Sequence, residues 1–204
     1  SRLTPFTDAD YEAYATEMLE QNKGRDFWVF AYGSLIWKPA FEFVESRFCY
    51  VPGWRRAFCL NIHNWRATPE EPGLMLALDR GGSCKGVAYR MPPDAPVERM
   101  LRLLRRETDF LEDKVWHRWL TVRAGGETLR ALGFWCAPSH PDPDLLRLPD
   151  EEQARRLARA VGYVGSCAEY LLNTVEHLEE LGLHDSYLWR MQDLVAREIE
   201  AMPG

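Results

Sequence analysis

The stretch FWVFAYGSLIWKP, residues 27–39, says more about the fold than any other part of the sequence. Its first six residues are all apolar or aromatic, which is typical of a strand that is buried on both faces. Gly33 and Ser34 interrupt the strand, and Gly33 lets the backbone turn sharply and approach a ligand closely. Consecutive amide groups in such a turn can bind a carboxylate or an oxyanion. In isolation, a simple hairpin turn is the commoner explanation of the same residues.

Strand-like runs dominate the sequence that follows. Between residues 47 and 91 they are RFCYV, RAFCLNI, LMLALD and CKGVAYRM, separated by the turn-forming stretches PGW, TPEEPG and DRGGS. Two more runs, WHRWLTV and TLRALGFW, are joined by Gly125 and Gly126. With the opening strand, about seven short and mostly antiparallel strands are expected. The sequence therefore predicts an α+β protein whose mostly antiparallel sheet curls into a small barrel with flanking helices.

Helical patterns surround these strands. A first helix is predicted within residues 1–25, a middle helix at about residues 95–110, and a group of helices over residues 151–204. Asp185 is predicted to cap the last of them. No repeat or low-complexity linker divides the chain. A single domain is therefore predicted over residues 1–204, with the C-terminal helices packed on it.

Composition and charge argue against several classes of protein. The chain has 204 residues, of which 46% are hydrophobic and 27% charged, as expected for a globular domain with its own core. A net charge of −6 argues against nucleic-acid binding by phosphate neutralisation, and no apolar run is long enough to cross a membrane. The five cysteines form no C-x-x-C pair of the kind found in zinc or redox motifs. Their odd number and the lack of a signal peptide predict a cytoplasmic protein.

One carboxylate on the middle helix stands apart from the other charged residues. The apolar side of this helix is predicted to consist of Val97, Met100, Leu101 and Leu104. The opposite side, facing water, carries Arg99, Arg102 and Arg106. Glu107 falls on the apolar side. It is either at a frayed helix end or paired with an inward-facing arginine, or it is a buried carboxyl group with a raised pKa that serves as a general acid–base.

Several segments together resemble one known family. VFAYGSLIWKP closely resembles the signature at the start of the ChaC-like family of γ-glutamylcyclotransferases, and VPGWRRAFCL and GLMLALDRGGSCKGVAYRM are similar to the segments that follow it. Glu107, which ends RRE, falls where that family has its catalytic glutamate. GSCAEYLLNTVEHLEELGLHDSYLWRMQ resembles the C-terminal helices of the bacterial members, so the resemblance covers residues 27–192. One departure is TDFLEDKVWHRW, which follows Glu107 where relatives have a short segment containing Gly or Tyr.

The resemblance implies a glutathione-specific enzyme. In this reaction the α-amine of the γ-glutamyl group attacks its own γ-carbonyl, releasing 5-oxoproline and Cys-Gly, with Glu107 as general acid–base. The substrate-binding residues implied are Val29, Phe30, Ala31, Tyr32, Gly33, Ser34 and Leu35. No metal, cofactor, nucleic acid or membrane is implied, and the oligomeric state is left open. Two alternatives remain: a cyclotransferase for other γ-glutamyl amines, and a non-catalytic small-molecule binding or regulatory module on the same fold.

Overall fold

The structure is a computed structural model that describes residues 3–39, 41–141 and 144–203. Within these residues the helices are α1 Asp8–Gln21, α2 Pro96–Glu107, α3 Asp150–Arg159, α4 Cys167–Glu180 and α5 Ser186–Glu200. The strands are β1 Trp28–Ala31, β2 Glu45–Ile62, β3 Gly73–Arg90, β4 His117–Ala124, β5 Glu127–Phe134, β6 Val161–Gly162 and β7 Gly165–Ser166. Two stretches of 3₁₀ helix, Ser34–Ile36 and Leu111–Trp116, complete the regular structure.

The first five strands form a closed barrel in the order β1-β3-β2-β4-β5. β1 runs antiparallel to β3, with Val29 opposite Tyr89, and parallel to β5, with Trp28 opposite Ala131. β4 and β5 form an antiparallel hairpin that begins with His117 opposite Phe134. The prediction of an α+β protein with a mostly antiparallel barrel and flanking helices is confirmed.

Seven strands are described, but they are not the seven short ones predicted: two strands of 18 residues replace four of the predicted runs, and the two-residue strands β6 and β7 were not predicted. PGW and DRGGS, which were predicted as turns, lie inside β2 and β3. Gly53, Gly81 and Gly82 adopt φ angles of 82°, 107° and 63° at these points. Glycines in this left-handed region allow a strand to bend without ending, as curved strands in small barrels require.

The helix ends refine the predicted boundaries. α2 begins at Pro96, a residue that suits the first turn of a helix, and it ends at Glu107, three residues earlier than predicted. At the start of α1, the side chains of Thr7 and Asp10 form a capping box. Asp185 caps α5 as predicted, since its side chain accepts a hydrogen bond from the Leu188 amide at 3.0 Å.

Backbone contacts divide the chain into two compact units. The first comprises residues 1–54 and 80–143, and the second comprises residues 55–79 and 144–204. The core of the first unit includes the fully buried side chains of Phe30, Met100, Leu104 and Leu132. The core of the second includes Phe58, Leu157, Leu171, Leu188 and Met191. A single domain over residues 1–204 stays a prediction.

Candidate active site

The loop after β1 provides the first half of the candidate site. It continues from Ala31 into the 3₁₀ turn Ser34–Ile36. The Ile36 amide donates a hydrogen bond to the Gly33 carbonyl at 2.9 Å, and the Lys38 amide donates to the Ser34 carbonyl at 2.8 Å. These two bonds fix the turn from within.

Three consecutive amides at the start of this turn remain available as donors. The N–H groups of Gly33, Ser34 and Leu35 donate to no acceptor within the described parts of the chain. Gly33 and Leu35 are buried, whereas Ser34 is half-buried. A short run of such donors is suited to a carboxylate or to an oxyanion that develops during a reaction.

Two residues of β3 support the loop from the barrel side. Tyr89 is buried, and its hydroxyl donates to the Ile36 carbonyl at 2.8 Å. Its ring packs on that of Phe43, with 4.6 Å between the ring centroids. Gly86 lies so close to β1 that a Cβ atom there would clash with the Ala31 carbonyl oxygen. Neither role could be predicted from the sequence, because both depend on strand register.

The strand residues that were implied as binding residues are less accessible. Val29, Phe30 and Ala31 lie in β1 and are 0% exposed. Neither their side chains nor their backbone groups are exposed, and the strand is paired with both β3 and β5. Tyr32, which follows them, is half-buried. Substrate binding by residues 29–35 stays a prediction.

Glu107 provides the second half of the candidate site. It is the last residue of α2, and its side chain is only 25% exposed, on the side of the helix that buries Met100 and Leu104. Burial raises the pKa of its carboxyl group, because the charged form loses hydration. The Arg106 guanidinium, 3.3 Å from the carboxylate, acts in the opposite direction and lowers this pKa. The net direction is upward, as a general acid–base requires.

The end of this helix is fixed rather than frayed. Thr108, the residue after Glu107, is only 2% exposed. The Tyr11 hydroxyl donates to the Thr108 carbonyl at 2.6 Å, and the Thr108 hydroxyl shares a hydrogen bond with Nε2 of His117 at 3.1 Å. The helix end is therefore not frayed. Glu107 does pair with an arginine, but its partner is the exposed Arg106 and not the inward-facing arginine of the prediction.

Arg106 also connects α2 with the loop. Its Nη1 donates to the carbonyls of Lys38 and Pro39, at 3.4 Å and 3.3 Å. The neighbour of Glu107 thus contacts the end of the segment that carries the three available amides. A common cavity for Glu107 and these amides stays a prediction.

Two details of α2 differ from the predicted pattern. Val97 is 41% exposed and lies outside the apolar side, whereas Leu103, which was not assigned to that side, is 2% exposed. Arg99 does not point into water. Its side chain is 14% exposed and forms ion pairs with Glu42 and Asp94.

Other kinds of site find little support in the described residues. No cluster of three or more His, Cys, Asp or Glu side chains there could hold a metal ion. None of the helices described has both the length and the apolar character needed to span a membrane. All five cysteines are buried. Burial raises the pKa of the Cys49 thiol to about 12 and also raises that of Cys167.

Comparison with known proteins identifies the family of this chain. A family model described as "ChaC-like protein" matches residues 27–198. The chain belongs to this family. It is 37% identical to the "Glutathione-specific gamma-glutamylcyclotransferase" of Escherichia coli over 162 residues, covering 79% of this chain and 69% of that protein. It is 31% identical to "Gamma-glutamylcyclotransferase 2-1" of Arabidopsis thaliana, covering 85% of this chain and 83% of that one.

The fold of this ChaC-like protein is also found in a solved structure. The crystal structure of a yeast γ-glutamylcyclotransferase specific to glutathione superposes with a TM-score of 0.72. The two sequences are 19% identical, and the match covers 85% of this chain and 97% of the yeast chain. At this identity the comparison supports the barrel fold.

Proposed function

We propose that this ChaC-like protein is a γ-glutamylcyclotransferase that cleaves glutathione to 5-oxoproline and Cys-Gly. The observation that carries the proposal is Glu107, a largely buried carboxylate with a raised pKa at a fixed helix end. A buried carboxyl group with a raised pKa is a candidate general acid–base. Membership of the family supports the proposal independently.

The proposed reaction takes place within one substrate molecule. The neutral α-amine of the γ-glutamyl group attacks the γ-carbonyl carbon, and Glu107 accepts the proton that this nitrogen loses. The carbonyl electrons move onto oxygen and then return, which breaks the bond to the cysteine nitrogen. Glu107 gives the proton to that nitrogen, so Cys-Gly leaves as an amine. No water is consumed, and a five-membered lactam remains.

The protein mainly has to hold the substrate in a curled conformation. Because nucleophile and electrophile belong to one molecule, fixing their geometry supplies a high effective concentration. In this proposal the amides of Gly33, Ser34 and Leu35 bind the α-carboxylate or the developing oxyanion. The Ser34 hydroxyl shapes or supplements this site. Neither a metal ion nor a cofactor takes part.

A second candidate is a cyclotransferase for other γ-glutamyl amines. It is favoured by residues 108–119, where the sequence departs from the pattern expected after the catalytic glutamate. This segment would contact the leaving half of the substrate if it lines the pocket. The cytoplasm is the compartment proposed for either activity, because five buried thiols suit a reducing environment.

The test is to incubate the protein with glutathione and with a panel of γ-glutamyl amines and γ-glutamyl dipeptides, and to measure 5-oxoproline. We expect release from glutathione with equimolar Cys-Gly. Faster release from another member of the panel would instead support the second candidate. If no γ-glutamyl compound yields 5-oxoproline but one binds in calorimetry, the protein is a binding module and the proposal is wrong.

A further inference from the structure

His117 lies in the first unit, at the start of β4, and both of its ring nitrogens are hydrogen-bonded. Nδ1 shares a hydrogen bond of 2.6 Å with the Tyr14 hydroxyl, and Nε2 shares one of 3.1 Å with the Thr108 hydroxyl. The ring also packs edge-on against Phe134, its strand partner, at 5.2 Å between centroids. The imidazole is therefore held by helix α1 and strand β5 while it contacts the end of α2.

The surroundings keep this imidazole neutral. Burial and, as a smaller contribution, the positive charge of Lys114 together lower the pKa of His117 to about 4. The hydroxyl of Tyr14, whose pKa burial raises, stays protonated as well. A neutral imidazole has one N–H and one bare nitrogen, so it can bridge two hydroxyl groups that both exchange donor and acceptor roles.

Thr108, the residue that directly follows Glu107, is held by two hydrogen bonds, one from Tyr11 and one shared with His117. The last residue of a helix has few intrahelical bonds to hold it, so its side chain normally has considerable freedom. Here the backbone immediately beyond it is fixed from two directions, by Tyr11 at the carbonyl and by His117 at the side chain. The barrel strand β4 thereby sets the position of the helix end.

We propose that His117, acting through the Thr108 hydroxyl, is a positioning residue that holds the Glu107 carboxyl group in its reactive place. The inference rests on the proposed function, because it assumes that Glu107 exchanges the protons. His117 itself touches no reacting atom in this proposal. An ordinary core residue would affect only stability, whereas His117 in this proposal affects the position of the Glu107 carboxyl group.

The test compares two pairs of variants that separate position from packing. His117→Gln places an amide near the Nε2 position and can keep the bond to Thr108, whereas His117→Asn places an amide near the Nδ1 position and cannot keep that bond. Thr108→Ser keeps the hydroxyl, and Thr108→Val removes it without changing the shape. Steady-state 5-oxoproline release from glutathione is measured for all four variants from pH 5 to pH 9.

We expect His117→Asn and Thr108→Val to lose about ten- to hundredfold in kcat, since a displacement of about 1 Å can cost that much. Their KM values should change less than about twofold. His117→Gln and Thr108→Ser should restore most of the activity. A carboxylate released towards water has a lower pKa. The acid limb of the kcat profile should therefore move to lower pH in His117→Asn and Thr108→Val, but not in His117→Gln and Thr108→Ser.

The other charged groups near this helix end stay in place in all four variants. They include Asp8, Glu17, Arg105, Arg106, Asp109, Asp113 and Lys114. A shift of the acid limb that occurs only in the variants without the hydrogen bond to the Thr108 hydroxyl therefore reports a change in the pKa of Glu107. Equal activity and equal acid limbs within each pair would overturn the inference, and the Thr108 pair alone decides it if the His117 variants fail to fold.

Glu107→Gln, measured in parallel, separates this inference from the proposed function. If Glu107→Gln retains full activity, the assignment of the base is wrong. If it is inactive while His117→Asn and Thr108→Val remain fully active, the proposed function stands and the positioning role is wrong.

Discussion

Replacing Glu107 with Gln should abolish most of the activity without destabilising the protein. Gln keeps the size of the side chain, and the helix end around it is fixed by hydrogen bonds that do not involve residue 107. The variant loses the negative charge, and with it the ion pair to Arg106 and the ability to accept and return a proton. General acid–base catalysis contributes about 10²- to 10⁴-fold, which corresponds to about 3–5 kcal/mol of transition-state stabilisation. We expect kcat to fall by that factor, with KM nearly unchanged.

The stability of Glu107→Gln should not fall with its activity, and at pH 7 it should equal or exceed that of the wild type. Because the pKa of Glu107 is raised in the folded protein, the folded state holds this proton more tightly than the unfolded chain does. Above the folded-state pKa the protein carries a poorly hydrated charge that Gln removes. The variant should therefore be at least as stable as the wild type at pH 7. This advantage should disappear below the usual glutamate pKa of about 4.3, where both side chains are neutral.

The assays are 5-oxoproline release and chemical unfolding at pH 7 and at pH 4. Glu98→Gln is the matched control, since Glu98 lies exposed in the first turn of the same helix, where a negative charge is favourable. The control should remain active and become slightly less stable. Activity within threefold of wild type for Glu107→Gln would refute the base assignment. A large loss of stability at pH 7 would refute the argument from burial.

Two further predictions concern the residues around the candidate site. Tyr89→Phe leaves the buried Ile36 carbonyl without its hydrogen bond, so the free energy of unfolding in urea should fall by about 1–3 kcal/mol. KM for glutathione should rise with it, and no change in either quantity would contradict a supporting role. Arg106→Met removes a positive charge 3.3 Å from Glu107 and should move the acid limb of the pH–rate profile to higher pH. Arg102→Met, on the exposed side of the same helix, should not shift the limb; equal shifts in both variants would show that the effect is not local.

The sequence predicted features that depend on local periodicity and missed those that depend on register. Glu107 was correctly predicted on the buried side of α2, because the helical period alone determines which residues share a face. Val97 was misplaced because the first turn of a helix often projects beyond the core, whatever its phase. The barrel was predicted from the abundance of strand-like runs, although four of these runs form two long strands and two of the predicted turns lie inside them. Asp185 was recognised because a cap is encoded within four residues.

Contacts between distant residues left no signal in the sequence. The stretches PGW and DRGGS have the composition of turns, but in β2 and β3 their glycines bend a continuing strand. Whether such a glycine ends a strand depends on neighbouring strands that the local sequence does not reveal. The contact of His117 with Tyr14 spans 103 residues, and the role of Tyr89 depends on its pairing with β1. Neither side chain differs from an ordinary core residue until the barrel closes.

The burial of the cysteines has a consequence for an enzyme whose proposed substrate is itself a thiol. Thiol–disulfide exchange needs an accessible thiolate, and raising the pKa of a thiol reduces the fraction in that form. With Cys49 and Cys167 held protonated by burial, and with all five sulfurs inside the protein, each is a poor partner for mixed-disulfide formation. We therefore expect glutathione disulfide to modify the folded protein only slowly, so that a change in redox state acts on the thiol substrate rather than on these cysteines.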